Sequence, residues 1–193
     1  MIPRVTALLA WPVNVRLREA PLVPVTEPAN LGDLIAHYRA RLPAFRPAWF
    51  KDLDRADQAR VDGLITAVLM VDGWLDAHAD WVAGHAMRLP ADVLAEMRVT
   101  DAHWREKRVD FAFRRFNELF AGQIRGVLQG AAALGRPRLA GWRYRLTIAR
   151  VEQILRERQV DPSLWFEERE HRSVPAGLVA SARVAWRVVT GRG

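Results

Sequence analysis

Three aspartates at intervals of four, Asp72, Asp76 and Asp80, form the densest set of chemically capable side chains in the sequence. They lie in the segment D-G-W-L-D-A-H-A-D-W-V-A-G-H, which also supplies His78 and His85. Residues four apart on a helix are neighbours, so Asp76 and Asp80 could share a cation if a second helix completed the ligand set. The two histidines are two turns apart, roughly 10 Å along the axis, which is too far to chelate one small ion. The segment matches neither H-E-x-x-H, nor an EF-hand loop, nor the Glu-x-x-His pair of di-iron bundles. A helical enzyme with an acidic metal site at Asp72–Asp80 is therefore the third reading of this chain. No metal ligand is assigned and no cofactor is implied. The competing explanation is structural. Asp72 projects inward between Ile65 and Leu75, where a carboxylate needs a hydrogen-bonding or charged partner. A basic side chain from residues 103–134 is the natural candidate.

Other catalytic patterns are missing. The sequence has no G-x-G-x-x-G after a strand, no Walker A loop and no G-x-S-x-G elbow. Its serines are Ser163, Ser173 and Ser181, with no histidine and aspartate at a readable spacing. There is no cysteine, so thiolate chemistry and disulfides are excluded. The balance favours a non-enzymatic protein.

The second constellation is cationic. Read as one helix, residues 103–134 put Lys107, Arg108, Arg114 and Arg115 opposite a phenylalanine stripe, with Phe111 among them. Phe111 then neighbours Arg108 on one side and Arg114 and Arg115 on the other. Guanidinium groups pair with phosphate, and an aromatic ring can stack on a base. Arg125 extends the face by this projection. The following stretch adds Arg136, Arg138, Arg143, Arg145 and Arg150, which flank an apolar stripe on both sides. The first reading is thus a helical nucleic-acid-binding protein, of DNA or RNA, working largely through backbone or single-strand contacts. No helix-turn-helix, zinc-finger, RRM or KH signature accompanies it. An acidic protein surface is the other partner such a face suits. The plainer explanation is that the arginines solvate helix faces, with Asp110–Arg114 and Arg114–Glu118 as local pairs.

A third set concerns assembly. Gly122, Gly126 and Gly130 follow at intervals of four and form a flat ridge where another backbone could approach closely. Each glycine costs a helix roughly 1 kcal/mol, which a close helix contact would offset. Trp142 lies outside the main apolar stripe, and Trp11, Trp49, Trp165 and Trp186 fall near element ends or loops. Aromatic anchors beside arginines are common at interfaces. The second reading is therefore an assembly subunit, as a homo- or hetero-oligomer.

The elements that must position these groups are helical. Residues 1–30 read as an irregular or β-like arm, with Pro3, Pro12, Pro21, Pro24 and Pro28 recurring. Residues 31–193 read as one helical domain. Asn30 is an N-cap for a short helix over 31–41, which Pro43 and Pro47 break. A long helix runs from about Asp54–Asp57 to Met87. Val61, Leu64, Ile65 and Val68 lie on one face, and Met70, Trp74 and Trp81 on another. A helix apolar on two faces is central in its bundle, and Gly73 is a possible break. A short helix at 91–98, the long one at 103–134, one at 142–159, a short charged one after Asp161-Pro162, and a last one from Ser173 complete an all-α bundle with two long helices.

Composition sets the frame. The chain has 193 residues, half of them apolar, which suffices for a core. Its formal net charge is +7. The charge is uneven: residues 1–100 hold 11 basic and 12 acidic residues, and residues 101–193 hold 18 and 10. No secretory signal and no apolar run long enough for a membrane span is read, so a cytoplasmic protein without a membrane partner is expected. Whether the acidic segment neutralises the basic half inside the fold decides how much positive surface is left.

Overall fold

The computed structural model describes residues 27–46, 48–135 and 142–167. Most of the proline-rich arm, the arginines at 136 and 138 and the expected last helix with Trp186 lie outside these residues.

The architecture is all-α, as the periodicity predicts, with no strand among the described residues. Helix α1 spans Leu31–Phe45, α2 Arg55–Val82, α3 Ala91–Glu96, α4 Asp101–Glu106, α5 Phe111–Ala131 and α6 Trp142–Val160. Short 3-10 turns cover Ala48–Asp52, Ala132–Gly135 and Pro162–Trp165. No described helix is long and apolar enough to cross a membrane.

Side chains at the helix starts supply partners for otherwise orphaned N–H groups. The Asn30 carboxamide oxygen accepts from Asp33 N–H at 3.0 Å, and the Asp54 carboxylate accepts from Asp57 N–H at 2.8 Å. Helix α3 begins after Pro90, which has no capping side chain. Its first N–H groups instead donate to the chain before α1: Ala91 to the Pro28 carbonyl and Asp92 to the Ala29 carbonyl, each at 3.0 Å. Helix α1 runs past Pro43, four residues beyond the expected end. A proline in the last turn removes one hydrogen bond without stopping the helix, which ends at Arg46 in extended conformation before Pro47.

Helix α2 is the central element. Val61, Leu64 and Ile65 are buried on one side, and Met70, Trp74 and Ala77 on the other, so that α1, α5 and α6 all pack against it. It is continuous through Gly73, where a break was possible. The glycine is needed by a neighbour: the Tyr38 hydroxyl of α1 lies where a Cβ would stand. The helix ends at Val82, short of Met87, because Gly84 takes a left-handed conformation (φ +69°).

The expected single helix over 103–134 is two helices. Lys107 adopts φ +50°, which terminates α4, and Asp110 starts α5 by accepting from Phe113 N–H at 3.1 Å. Val109, which the single-helix projection adds to the phenylalanine stripe, falls in the corner, partly buried against the core. The rest of that stripe is as the spacing predicts: Phe113, Phe116, Phe120 and Ile124 are fully buried. The core closes around Trp74, with Phe116 and Phe120 edge-on to it and Trp165 stacked on it at 3.6 Å between ring centres. Trp165 is therefore core rather than a partly exposed anchor. Asn117 fixes it, accepting from Trp165 Nε1–H at 2.7 Å and donating to the Arg158 carbonyl at 2.9 Å.

Candidate nucleic-acid interface

The α4–α5 corner is held by a buried imidazole. Thr100 and His103 form a reciprocal cap in which the Thr100 side chain accepts from His103 N–H. Thr100 N–H donates to His103 Nδ1 at 3.0 Å, so the ring proton sits on Nε2. That proton is directed to the Asp110 carboxylate at 3.1 Å. Asp110 thus caps α5, receives His103 and pairs with Arg108 Nε at 3.2 Å. The Phe113 N–H, ahead of His103 and Arg108, holds the Asp110 carboxyl below the ordinary carboxylate range. One aspartate therefore fixes both the turn and the helix that follows it.

This geometry revises how the cationic residues meet. Lys107 and Arg108 belong to the corner, while Phe111, Arg114 and Arg115 occupy the first turn and a half of α5. Arg108 is beside Phe111 because the corner is pinned at Asp110, not because one helix carries both. All five side chains are solvent-exposed, and Phe111 is the only exposed aromatic of large area among the described residues, at 77%. The expected Asp110–Arg114 and Arg114–Glu118 pairs do not form. Among the described residues no carboxylate forms an ion pair with Lys107, Arg114 or Arg115. Arg114 does lie close enough to Asp161 to lower its carboxyl, behind the two hydrogen bonds that Asp161 accepts from Ser163. Glu106 and Glu118 border the patch in sequence.

The remaining predicted cationic residues divide differently. Arg125 points across to α6, donating to Glu152 at 3.0 Å and to the Gln159 carboxamide oxygen at 2.8 Å. It ties two helices together instead of continuing the face. Arg150 lines a cleft between α2 and α6 with Val68, Asp72, Thr147 and Ile154. Arg145 is half-buried on α6. The side chains of Trp142 and Arg143 lie outside the described residues.

The acidic ladder has a partner that the sequence did not suggest. Arg88, in the loop after α2, reaches back with its side chain 11% exposed and meets Asp76 at 3.1 Å and Asp80 at 2.9 Å. A guanidinium thus occupies the place between the two carboxylates that a cation would need. Among the described residues no group of three or more His, Cys, Asp or Glu side chains is arranged to hold a metal. Asp72 lines a cleft between α2 and α6 together with Arg150. His78 stacks on Trp81, as an edge of that surface, but Trp74 itself is fully buried. The nearest signal for Arg88 in the sequence was its isolation as the sole basic residue between Arg60 and Arg98, within reach of three aspartates.

Gly122, Gly126 and Gly130 lie on the face of α5 opposite the core, and a Cβ at any of them would meet nothing within 4 Å among the described residues. The ridge is present, and no described helix packs into it. Leu119, 39% exposed, lies along the same side.

The site defined by these observations is a basic corner with an exposed aromatic ring on an all-α scaffold. No protein-family model, curated protein or solved structure matches the chain.

Proposed function

We propose that this protein binds nucleic acid through the α4–α5 corner, with Lys107, Arg108, Arg114 and Arg115 contacting the phosphate backbone. The observation that carries the reading is the exposure of Phe111 amid cations that, Arg108 excepted, form no ion pair with a carboxylate among the described residues. Coulombic attraction to phosphate is strong where side chains are not already paired. The acidic ladder does not compete for this patch, because Arg88 engages Asp76 and Asp80. The charge asymmetry of the sequence therefore persists at the surface of the corner.

Binding of the full chain to short fluorescent oligonucleotides across a salt series tests this. Affinity is expected to fall steeply with salt, and Arg114→Glu/Arg115→Glu to weaken binding and to flatten the log–log salt slope by about 2. Affinity independent of salt, or unchanged in the double variant, overturns the assignment.

A second reading, an assembly subunit, draws on the open glycine ridge of α5. Sedimentation of the protein across a concentration series is its test, and a monomer at all concentrations sets homo-oligomerisation aside.

A further inference from the structure

We infer that Phe111 is a base-stacking platform that makes the α4–α5 corner select single-stranded over double-stranded nucleic acid. The inference rests on the nucleic-acid reading above and adds the class of ligand.

The first ground is the position of the ring. Phe111 is the first residue of α5, where a side chain projects from the helix end and is not covered by a preceding turn. Every other phenylalanine of the helix is fully buried, whereas this one is 77% exposed and makes no ring contact among the described residues. An exposed ring of this size contributes nothing to the core, and its hydration is unfavourable. Asp110, immediately before it, is held by His103 and Arg108, so the backbone that carries the ring is fixed. A rigidly mounted ring loses little conformational freedom on stacking.

The second ground is the order of charges around it. Lys107 and Arg108 precede the ring and Arg114 and Arg115 follow it, one turn along α5. A nucleotide stacked on Phe111 has a phosphate on each side, and cations are available toward both. The third ground is what a duplex denies. Paired bases present only their edges, and their faces are covered by stacking, so a lone phenylalanine gains nothing from intact double helix. An anionic lipid surface is the weaker match. Beyond Phe111 the exposed side of α5 continues through Arg115, Glu118 and Gly122, with no continuous apolar face to insert.

The test compares the full chain with its Phe111→Ala and Phe111→Trp variants. The probes are a fluorescent single-stranded oligonucleotide, a duplex of equal length and vesicles containing phosphatidylserine. Phe111→Ala is expected to lower single-strand affinity about tenfold or more, leaving duplex affinity and thermal stability unchanged. Phe111→Trp is expected to keep single-strand affinity, and its added fluorescence to be quenched on binding. Equal losses on both oligonucleotides, or no loss on the single strand, overturn the stacking role while leaving phosphate binding intact. Salt-independent binding or no binding to either oligonucleotide, or binding to vesicles alone, overturns the nucleic-acid reading and this inference with it.

Discussion

The hydroxyl of Tyr38 rests against the backbone of Gly73, in the volume a Cβ would fill. This close approach lets α1 pack onto the middle of α2 and explains why a glycine stands inside the longest helix. The hydroxyl itself is buried without a hydrogen-bond partner among the described residues, and burial pushes its pKa up. Gly73→Ala is therefore expected to destabilise the protein by about 1–3 kcal/mol despite the better helix propensity of alanine. Tyr38→Phe removes an unsatisfied polar atom and is expected to be near neutral. The double variant should recover part of the loss, because the conflict is with the oxygen. Urea midpoints of the four proteins measure the coupling, and strict additivity would count against the packing account.

Asp110 makes the corner acid-sensitive in a definite direction. Its carboxyl is held below the ordinary range, so in that window the unfolded chain binds more protons than the folded one. The stabilisation is therefore complete above the ordinary carboxylate range and is lost as pH falls through the lowered value. Asp110→Asn keeps a capping oxygen but loses the charge, and is expected to flatten the pH dependence of stability below about pH 4. Asp110→Ala also removes the cap and should cost about 1 kcal/mol at neutral pH. Thermal melts from pH 2.5 to 7 give both quantities. An unchanged acid limb in Asp110→Asn would assign the sensitivity elsewhere.

Asn117 joins two partners, the Trp165 indole N–H and the Arg158 carbonyl. Replacing it by leucine keeps most of the volume but removes both hydrogen bonds. Each lost partner costs about 1–3 kcal/mol, so a total loss of about 2–6 kcal/mol is expected. The stacked Trp74–Trp165 pair supplies a local probe. Its near-ultraviolet dichroism should weaken in Asn117→Leu under native conditions, and an unaltered spectrum would show that the stack is held without the amide.

Gly126 separates propensity from contact. Among the described residues nothing lies within 4 Å of its absent Cβ, so Gly126→Ala is expected to stabilise the monomer by about 1 kcal/mol. If the ridge is the seat of self-association, the same variant dissociates the assembly. A variant both more stable and unchanged in sedimentation removes the ridge from consideration as a self-contact.

The helices were legible wherever an apolar period ran uninterrupted. The stripe from Val61 to Val68 and the one from Phe113 to Ile124 both face the core as their spacing requires. The corner at 107–110 was not legible as a break. Glu106, Lys107 and Arg108 are good helix formers, and a left-handed lysine has no sequence signature. The available clue was Asp110, an N-cap three residues before Phe113, which competes with its reading as a partner of Arg114. Arg88 and Trp165 were missed for a different reason. Their roles depend on pairings between distant elements, and one-dimensional periodicity does not encode which loop returns to which helix.

The stacking of Trp165 on Trp74 also bears on how the chain reaches its native state. Trp74 sits in the middle of the central helix, and its covering ring arrives only after α3 to α6 have been synthesised. Until then a nascent chain on the ribosome presents the face of α2 that carries Met70 and Trp74 with one side uncovered. Long-range closure of this kind slows folding and leaves an apolar surface open to chaperones in the interval. Ribosome-stalled chains ending before and after the Pro162–Trp165 turn should therefore differ sharply in protease resistance.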